Sequence, residues 1–401
     1  MSDTASACPF QDFDALAPET FDSPWAEYAR LQRECPVAHS DAWGGFWALL
    51  RYRDVVSTAA DYRAFTTTVQ NVVPKVAFTG RRPPLHLDPP EHTPYRRALN
   101  PLLTDDKAAR LGPMIRKIAG EMLDPLVAAG HADICTDFGS FLPVRVFAEW
   151  MNMQPDDALK LAEVGRAFNL AVQAKMDDVV KTTSLQLYEI ARALIDERRA
   201  NPRDPEMDPT SALLATRVEG EPLPDDLILG TIRQVLVVGI VAPMVIMGSI
   251  CVHLSRHPDL QEKLRAEPAL IPAAIEEFLR LYTPYRGFAR TPVNDVEIGG
   301  RLIQAGEPIA LVYAAANRDP TIFEDPESFV LNRPNIAEHV AFGVGAHRCA
   351  GSALARLELQ IMLEELLART SGFEVSGEIL PTRFPEIGAL SVPLRLDGRV
   401  E

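Results

Sequence analysis

Through most of the chain, apolar residues recur at three- and four-residue spacing, the period of helices that bury one face. The pattern predicts helices over 107–129, 141–151, 159–170, 179–198, 271–281 and 352–370. An entry helix is expected over 19–35, with Ser23-Pro24 as cap and first turn, and a short helix over 52–60. The longest helical pattern, 227–254, is apolar on almost every face, which places it through the middle of a core. Strand patterns are few: 45–50, 308–312, and a hairpin over 296–303 turning on Gly299-Gly300. Residues 66–84 show no period, and so long an irregular stretch reads as either a functional loop or a disordered segment. The expected class is mainly α with small β-sheets.

Length alone suggests two or three domains, but with 47% hydrophobic residues one large core suffices, so a single domain over 1–401 is expected. Met1 to Phe10 has no basic flank or apolar run, and longer apolar stretches are broken by polar residues or proline, which predicts a soluble, untargeted, cytoplasmic protein. A net charge of −15 argues against general binding to nucleic acid or anionic membranes, both of which reward clustered Lys and Arg. Cys8, Cys35, Cys135, Cys251 and Cys349 are an odd, scattered set without C-x-x-C pairs, so neither a disulfide framework nor a zinc site is indicated.

One cysteine stands apart. Ala341 to Gly351 reads F-G-x-G-x-H-x-C-x-G, with two glycines before Cys349 and a helical pattern after it. A sulfur at a helix start meets the positive end of the dipole and free backbone N–H groups, which favours the thiolate, the form that binds metals. Thiolate ligation of haem iron pushes electron density toward the metal and favours O–O cleavage. A lone cysteine is ordinarily a small hydrophobe, but four neighbours at fixed spacing favour the ligand.

This segment closely resembles the haem-ligand signature of the cytochrome P450 family, and it matches at every defining position. The resemblance implies a haem-thiolate fold with a long central helix crossing the haem. Cys349 would be the axial iron ligand, Phe342 would pack beside the sulfur, Gly351 would complete the loop and His347 would bond a propionate. Asp88-Pro89-Pro90-Glu91-His92, with Arg96 one turn on, matches the family's propionate-binding helix, and Arg290 its second propionate arginine. Arg97 and Arg348 would face a partner protein. Glu277 and Arg280, three apart, would form a buried network with Arg333. Val76, Phe168, Val238 and Phe288 would border an apolar substrate, while Arg286 has no evident role there.

The chain departs from the family on the oxygen side. The usual small-Gly-x-acid-Thr segment falls on Val238-Gly239-Ile240-Val241-Ala242, so the acid is Val241 and the threonine is Ala242. In the family that hydroxyl helps deliver a proton during dioxygen cleavage. Pro243 has no N–H for the Gly239 carbonyl, so the helix should kink or open, leaving a carbonyl able to hold water in a groove marked by Gly239 and Ala242. The resemblance implies a haem b monooxygenase that hydroxylates or O-dealkylates a small, mostly apolar molecule. It would use dioxygen and electrons from a separate ferredoxin or flavodoxin with its NAD(P)H reductase, since no flavin or iron–sulfur domain is visible. A peroxide-using or non-oxygenating haem-thiolate enzyme, or a haem-binding sensor, is the alternative.

Overall fold

The computed structural model describes residues 12–18, 23–75, 79–239, 241–286, 288–383 and 385–398. Helix α1 (Thr93–Leu99) leads into α2 (Asp105–Ala129), which starts where the Thr104 hydroxyl accepts the Lys107 N–H and ends at Gly130 in the left-handed conformation (φ 75°). Then come α3 (Leu142–Trp150), α4 (Pro155–Gln173) and α5 (Asp177–Ala200), each within a few residues of its expected span. Helices α6 (Asp225–Val238), α7 (Val241–Arg256), α8 (Ile271–Leu281) and α9 (Ser352–Arg369) complete the large helical body.

The main core lies where α2, α7, α8 and α9 meet, with Ile115, Leu123, Ile250, Phe278, Met362 and Leu366 buried together. A second core, around Phe168, Leu187, Ile232 and Leu236, joins α4, α5 and α6. Burying a Leu, Ile or Phe side chain is worth about 1.5–3 kcal/mol, so these seams set the helix positions.

The central pattern at 227–254 corresponds to two helices rather than one. Helix α6 ends at Val238, Gly239 caps it at φ −90° and ψ 3°, and α7 begins at Val241. Pro243 is therefore third in α7, within the first turn, where helical N–H groups have no intrahelical partner and its lack of one costs little. A Cβ on Gly239 would lie 2.0 Å from the Phe147 ring, so this close packing requires glycine at the junction. By length and composition Asp225–Arg256 is apolar enough to cross a membrane, but 59% of its most apolar window is covered by the rest of the protein.

Beside the helices lies a five-stranded sheet of β1 (Val37–Ser40), β2 (Phe46–Leu49), β3 (Phe65–Thr66), β4 (Phe288–Pro292) and β5 (Ile309–Leu311), in the order β1-β2-β5-β4-β3. Only β2 and β5 run parallel. Pairing of Phe288 with Leu311 and of Arg290 with Ile309 puts Phe288 and Arg290 on one face, with Ala289 on the other. The hairpin Val296–Ile298 to Arg301–Ile303 turns on Gly299 (φ 57°) and Gly300 (φ 77°), the type I′ geometry that the sequence suggested.

Candidate functional site

Cys349 lies three residues before the start of α9, and its backbone N–H donates to the Phe342 carbonyl at 2.8 Å, which closes the loop. Gly343 and Gly345 both have positive φ, 67° and 72°, and a Cβ on Gly345 would come within 2.9 Å of the Ala60 Cα. The loop therefore lies flat against the neighbouring backbone. Phe342 is partly buried, with the Arg356 guanidinium 4.5 Å from its ring centre. Gly351 caps α9.

The thiol is solvent-reachable, unlike those of Cys35, Cys135 and Cys251, which are buried. Surrounding protein nevertheless raises the Cys349 pKa by desolvation, against the Gly351 backbone and the charges of Arg96, Arg348 and Arg356. The expected thiolate bias from the helix start is thus outweighed by desolvation. A coordinating cation reverses that balance.

His92 and Arg96 lie one turn apart at the start of α1, as their spacing predicts, and line a cavity of about 450 Å³ with Thr93, Arg97, Asn100 and Ala346. His92 is buried, and neither ring nitrogen makes a hydrogen bond of ordinary geometry. Burial, then the charges of His347 and Arg96, pushes the His92 imidazole down to about 4. Arg96 donates from Nη2 to the Arg348 carbonyl at 2.7 Å, directly beside Cys349. Arg290 is buried, gives Nη1 to its neighbour's carbonyl at 2.9 Å, and has no partner for Nε. Orphaned donors beside a thiol suit a group that combines a metal with anionic arms, so the residues present fit the haem that the resemblance implies.

His347 is paired with a carboxylate of the segment before α1. Its Nε2 is 3.0 Å from Asp88 Oδ1, and Asp88 is held in turn by the Thr66 and Thr67 hydroxyls and the Thr67 N–H. Burial raises the Asp88 pKa, but the bonds from His347 and Thr66 bring it below the ordinary carboxylate value. Asp88 was part of the D-P-P-E-H pattern but carried no predicted role; its position before two prolines, at the mouth of the loop, was the available signal. Arg97 and Arg348 are both exposed.

On the opposite side, Val238 is 48% exposed and Val241 and Ala242 are half-buried around the helix junction. Phe288 packs on Tyr285 and Tyr313, with ring centres 4.8 and 6.1 Å away, while Val76 lies outside the described residues. Phe168 is buried beneath the Arg233 guanidinium, 4.9 Å from its ring centre. Arg233, on α6, was missed in the sequence, although it is the one Lys or Arg in the apolar run 227–254. Arg286 does not face solvent: it is buried, and its Nε donates to the Glu386 carbonyl at 2.9 Å.

The support behind the cysteine loop is a closed network. Arg280 gives two 2.8 Å bonds to the Glu277 carboxylate, Arg333 donates to the same group at 3.1 Å, and the Val330 N–H adds a fourth bond at 2.9 Å. Asn317 then ties Thr283 to the Val340 N–H, two residues before Phe342.

The cytochrome P450 family model matches residues 147–393. The chain is 32% identical to the mycinamicin IV hydroxylase/epoxidase of Micromonospora griseorubida, covering 97% of each protein. It is 30% identical to the linalool 8-monooxygenase of Pseudomonas putida over 88% of this chain and 90% of that one. The solved structure of cytochrome P450 CYP109Q5 from Chondromyces apiculatus superposes with a TM-score of 0.87 at 29% identity, covering 97% of this chain and 99% of that one. On the family model, the relatives it matches over nearly its whole length and the shared fold, the chain belongs to the cytochrome P450 family.

Proposed function

We propose that residues 1–401 form one haem b monooxygenase domain, cytoplasmic, that hydroxylates or O-dealkylates a small organic substrate with a largely apolar body. Electrons would come from a separate ferredoxin or flavodoxin with its NAD(P)H reductase. The observation that carries the reading is Cys349 in its glycine loop together with the buried His92 ring nitrogens and Arg290 Nε, which among the described residues make no hydrogen bond of ordinary geometry. Cytochrome P450 enzymes are haem-thiolate oxidoreductases that use dioxygen, an organic substrate and redox partners. Bound here, haem would supply the activation of dioxygen, with Cys349 as the ligand that tunes it.

The remaining roles belong to the chain. His92, Arg96 and Arg290 would bind the propionates, Phe342 and Gly351 would shape the loop around the sulfur, and His347, held by Asp88, would stand at the propionate edge. Phe168, Val238, Phe288 and Val76 would border the substrate. Neither Val241 nor Ala242 can pass a proton. Pro243 leaves the Gly239 carbonyl without a helical donor, so that oxygen is the available acceptor for a water beside Ala242.

Haem-loaded protein should show the absorption spectrum of a thiolate-ligated haem, and Cys349→Ser should abolish it together with product formation; retention of both would sink the reading. The lack of an acid and a hydroxyl at Val241-Ala242 favours a second reading, use of hydrogen peroxide. Turnover with peroxide but none with NAD(P)H and redox partners would select it.

A further inference from the structure

Arg233 of α6 and Arg82, in the segment leading to α1, form a buried cationic cluster. Arg233 is 1% exposed, and among the described residues its Nε and Nη1 have no partner. Its Nη2 donates to the Ser184 hydroxyl on α5 at 2.8 Å, and that hydroxyl is also 2.9 Å from the Thr79 hydroxyl. Arg82 is 8% exposed, and among the described residues its Nε has no partner and no carboxylate lies within ion-pair distance of either guanidinium. The Tyr188 hydroxyl is likewise buried with no partner among the described residues, while its ring lies 5.8 Å from the Arg233 guanidinium. Burial, with Arg82 as the next cause, pulls the Arg233 pKa down to about 9, so it remains cationic at neutral pH.

Holding even one ion out of water costs several kcal/mol unless it is paired, and this cluster holds two like charges. Such an arrangement is expected where the counterion arrives with a ligand. We infer that the substrate carries a carboxylate, received by Arg82 and Arg233 with the Tyr188 and Ser184 hydroxyls alongside. This rests on the monooxygenase reading above and names its substrate class. A planar carboxylate matches the guanidinium fork, and Phe168 offers an apolar wall for the rest of the molecule.

Size follows from the helix. Arg233 precedes Gly239 by six residues, about 9 Å along α6 at 1.5 Å per residue. So short a separation along one helix favours a compact acid, a substituted aromatic or short-chain carboxylic acid.

The test compares acids with their uncharged primary amides: 4-ethylbenzoate, 3-phenylpropionate and octanoate, titrated calorimetrically into haem-loaded protein at pH 7. At least one acid should bind ten or more times tighter than its amide. Arg233→Met and Arg82→Met should each erase that preference while leaving amide affinity within threefold. The inference fails if every acid binds no tighter than its amide, or if the preference survives in the Arg233→Met protein. Where a variant does not fold, the wild-type acid–amide comparison decides alone. The haem absorption spectrum separates the two readings: a thiolate spectrum without acid preference overturns this inference only, whereas acid preference without that spectrum overturns the monooxygenase reading and leaves the carboxylate site standing.

Discussion

Two pairs of buried arginines in this protein have opposite surroundings. Arg280 and Arg333, 0% and 4% exposed, converge on Glu277, which is 1% exposed, and their remaining donors reach carbonyls of Asn317, Pro326 and Ser328. Although burial pushes the Glu277 carboxyl up, the Arg280 and Arg333 bonds bring it below its ordinary value. Arg82 and Arg233, 8% and 1% exposed, converge on no carboxylate among the described residues. Burial alone therefore does not distinguish framework from function. Satisfaction does: a complete network holds the chain, and an incomplete one is completed by a ligand.

The comparison predicts opposite signs for removing charge. Glu277→Gln leaves two buried guanidiniums without their counterion and should destabilise the protein by roughly 3–5 kcal/mol, read as a lowered denaturant midpoint. Because α8 and the loop around Val330 are joined through Glu277, the cysteine loop should also loosen, and haem should be released earlier in the same titration. A loss below about 1 kcal/mol, the value of an exposed ion pair, would place this network on the same footing as a surface contact.

Arg233→Met should do the reverse. It removes one of two like charges from an unpaired site and leaves an apolar side chain of similar length against Phe168, so the substrate-free protein should gain on the order of 1–4 kcal/mol. A raised melting temperature together with loss of acid binding separates a ligand site from a structural one. A lowered melting temperature would make Arg233 a framework residue like Arg280.

The two pairs also differ in how far the sequence disclosed them. Glu277 and Arg280 were visible because helical spacing puts residues three apart on one face, and Arg333 because it follows at a recognisable distance. That His92 and Arg96 line one cavity was legible for a similar reason, since residues four apart share a helical face, and the Cys349 loop was marked by its glycine spacing. The helices followed from apolar period. Arg82 and Arg233 were not legible as a pair, since they lie on segments 151 residues apart and meet only through the fold. The junction at Gly239 was displaced from its expected cause. Pro243 drew attention to it, but the Phe147 ring, brought in from α3, occupies the space where any Cβ at 239 would lie. The His347–Asp88 pair likewise depends on a loop path that no local pattern encodes.

The smallest effect tests the field inside the incomplete pair. His86 bonds Asn71 through Nε2 at 2.9 Å, and its pKa is pushed down to about 4, first by burial and then by Arg82, Arg233, Arg81 and Lys75. A histidine depressed in the folded state leaves stability untouched above its unfolded value near 6.5 and lowers it as pH falls from there toward 4, because the unfolded chain takes up the proton first. Arg82→Met removes the first of the charges, not the burial, so the His86 titration should move upward while staying below 6.5. The loss of stability between pH 6.5 and 4 should shrink accordingly. Histidine NMR titration of wild type and variant reads the shift directly, with His92, which lies against His347 instead, as the internal control that should not move. An unmoved His86 would mean that burial alone sets its pKa, and that the charge of Arg82 is already neutralised by something other than substrate.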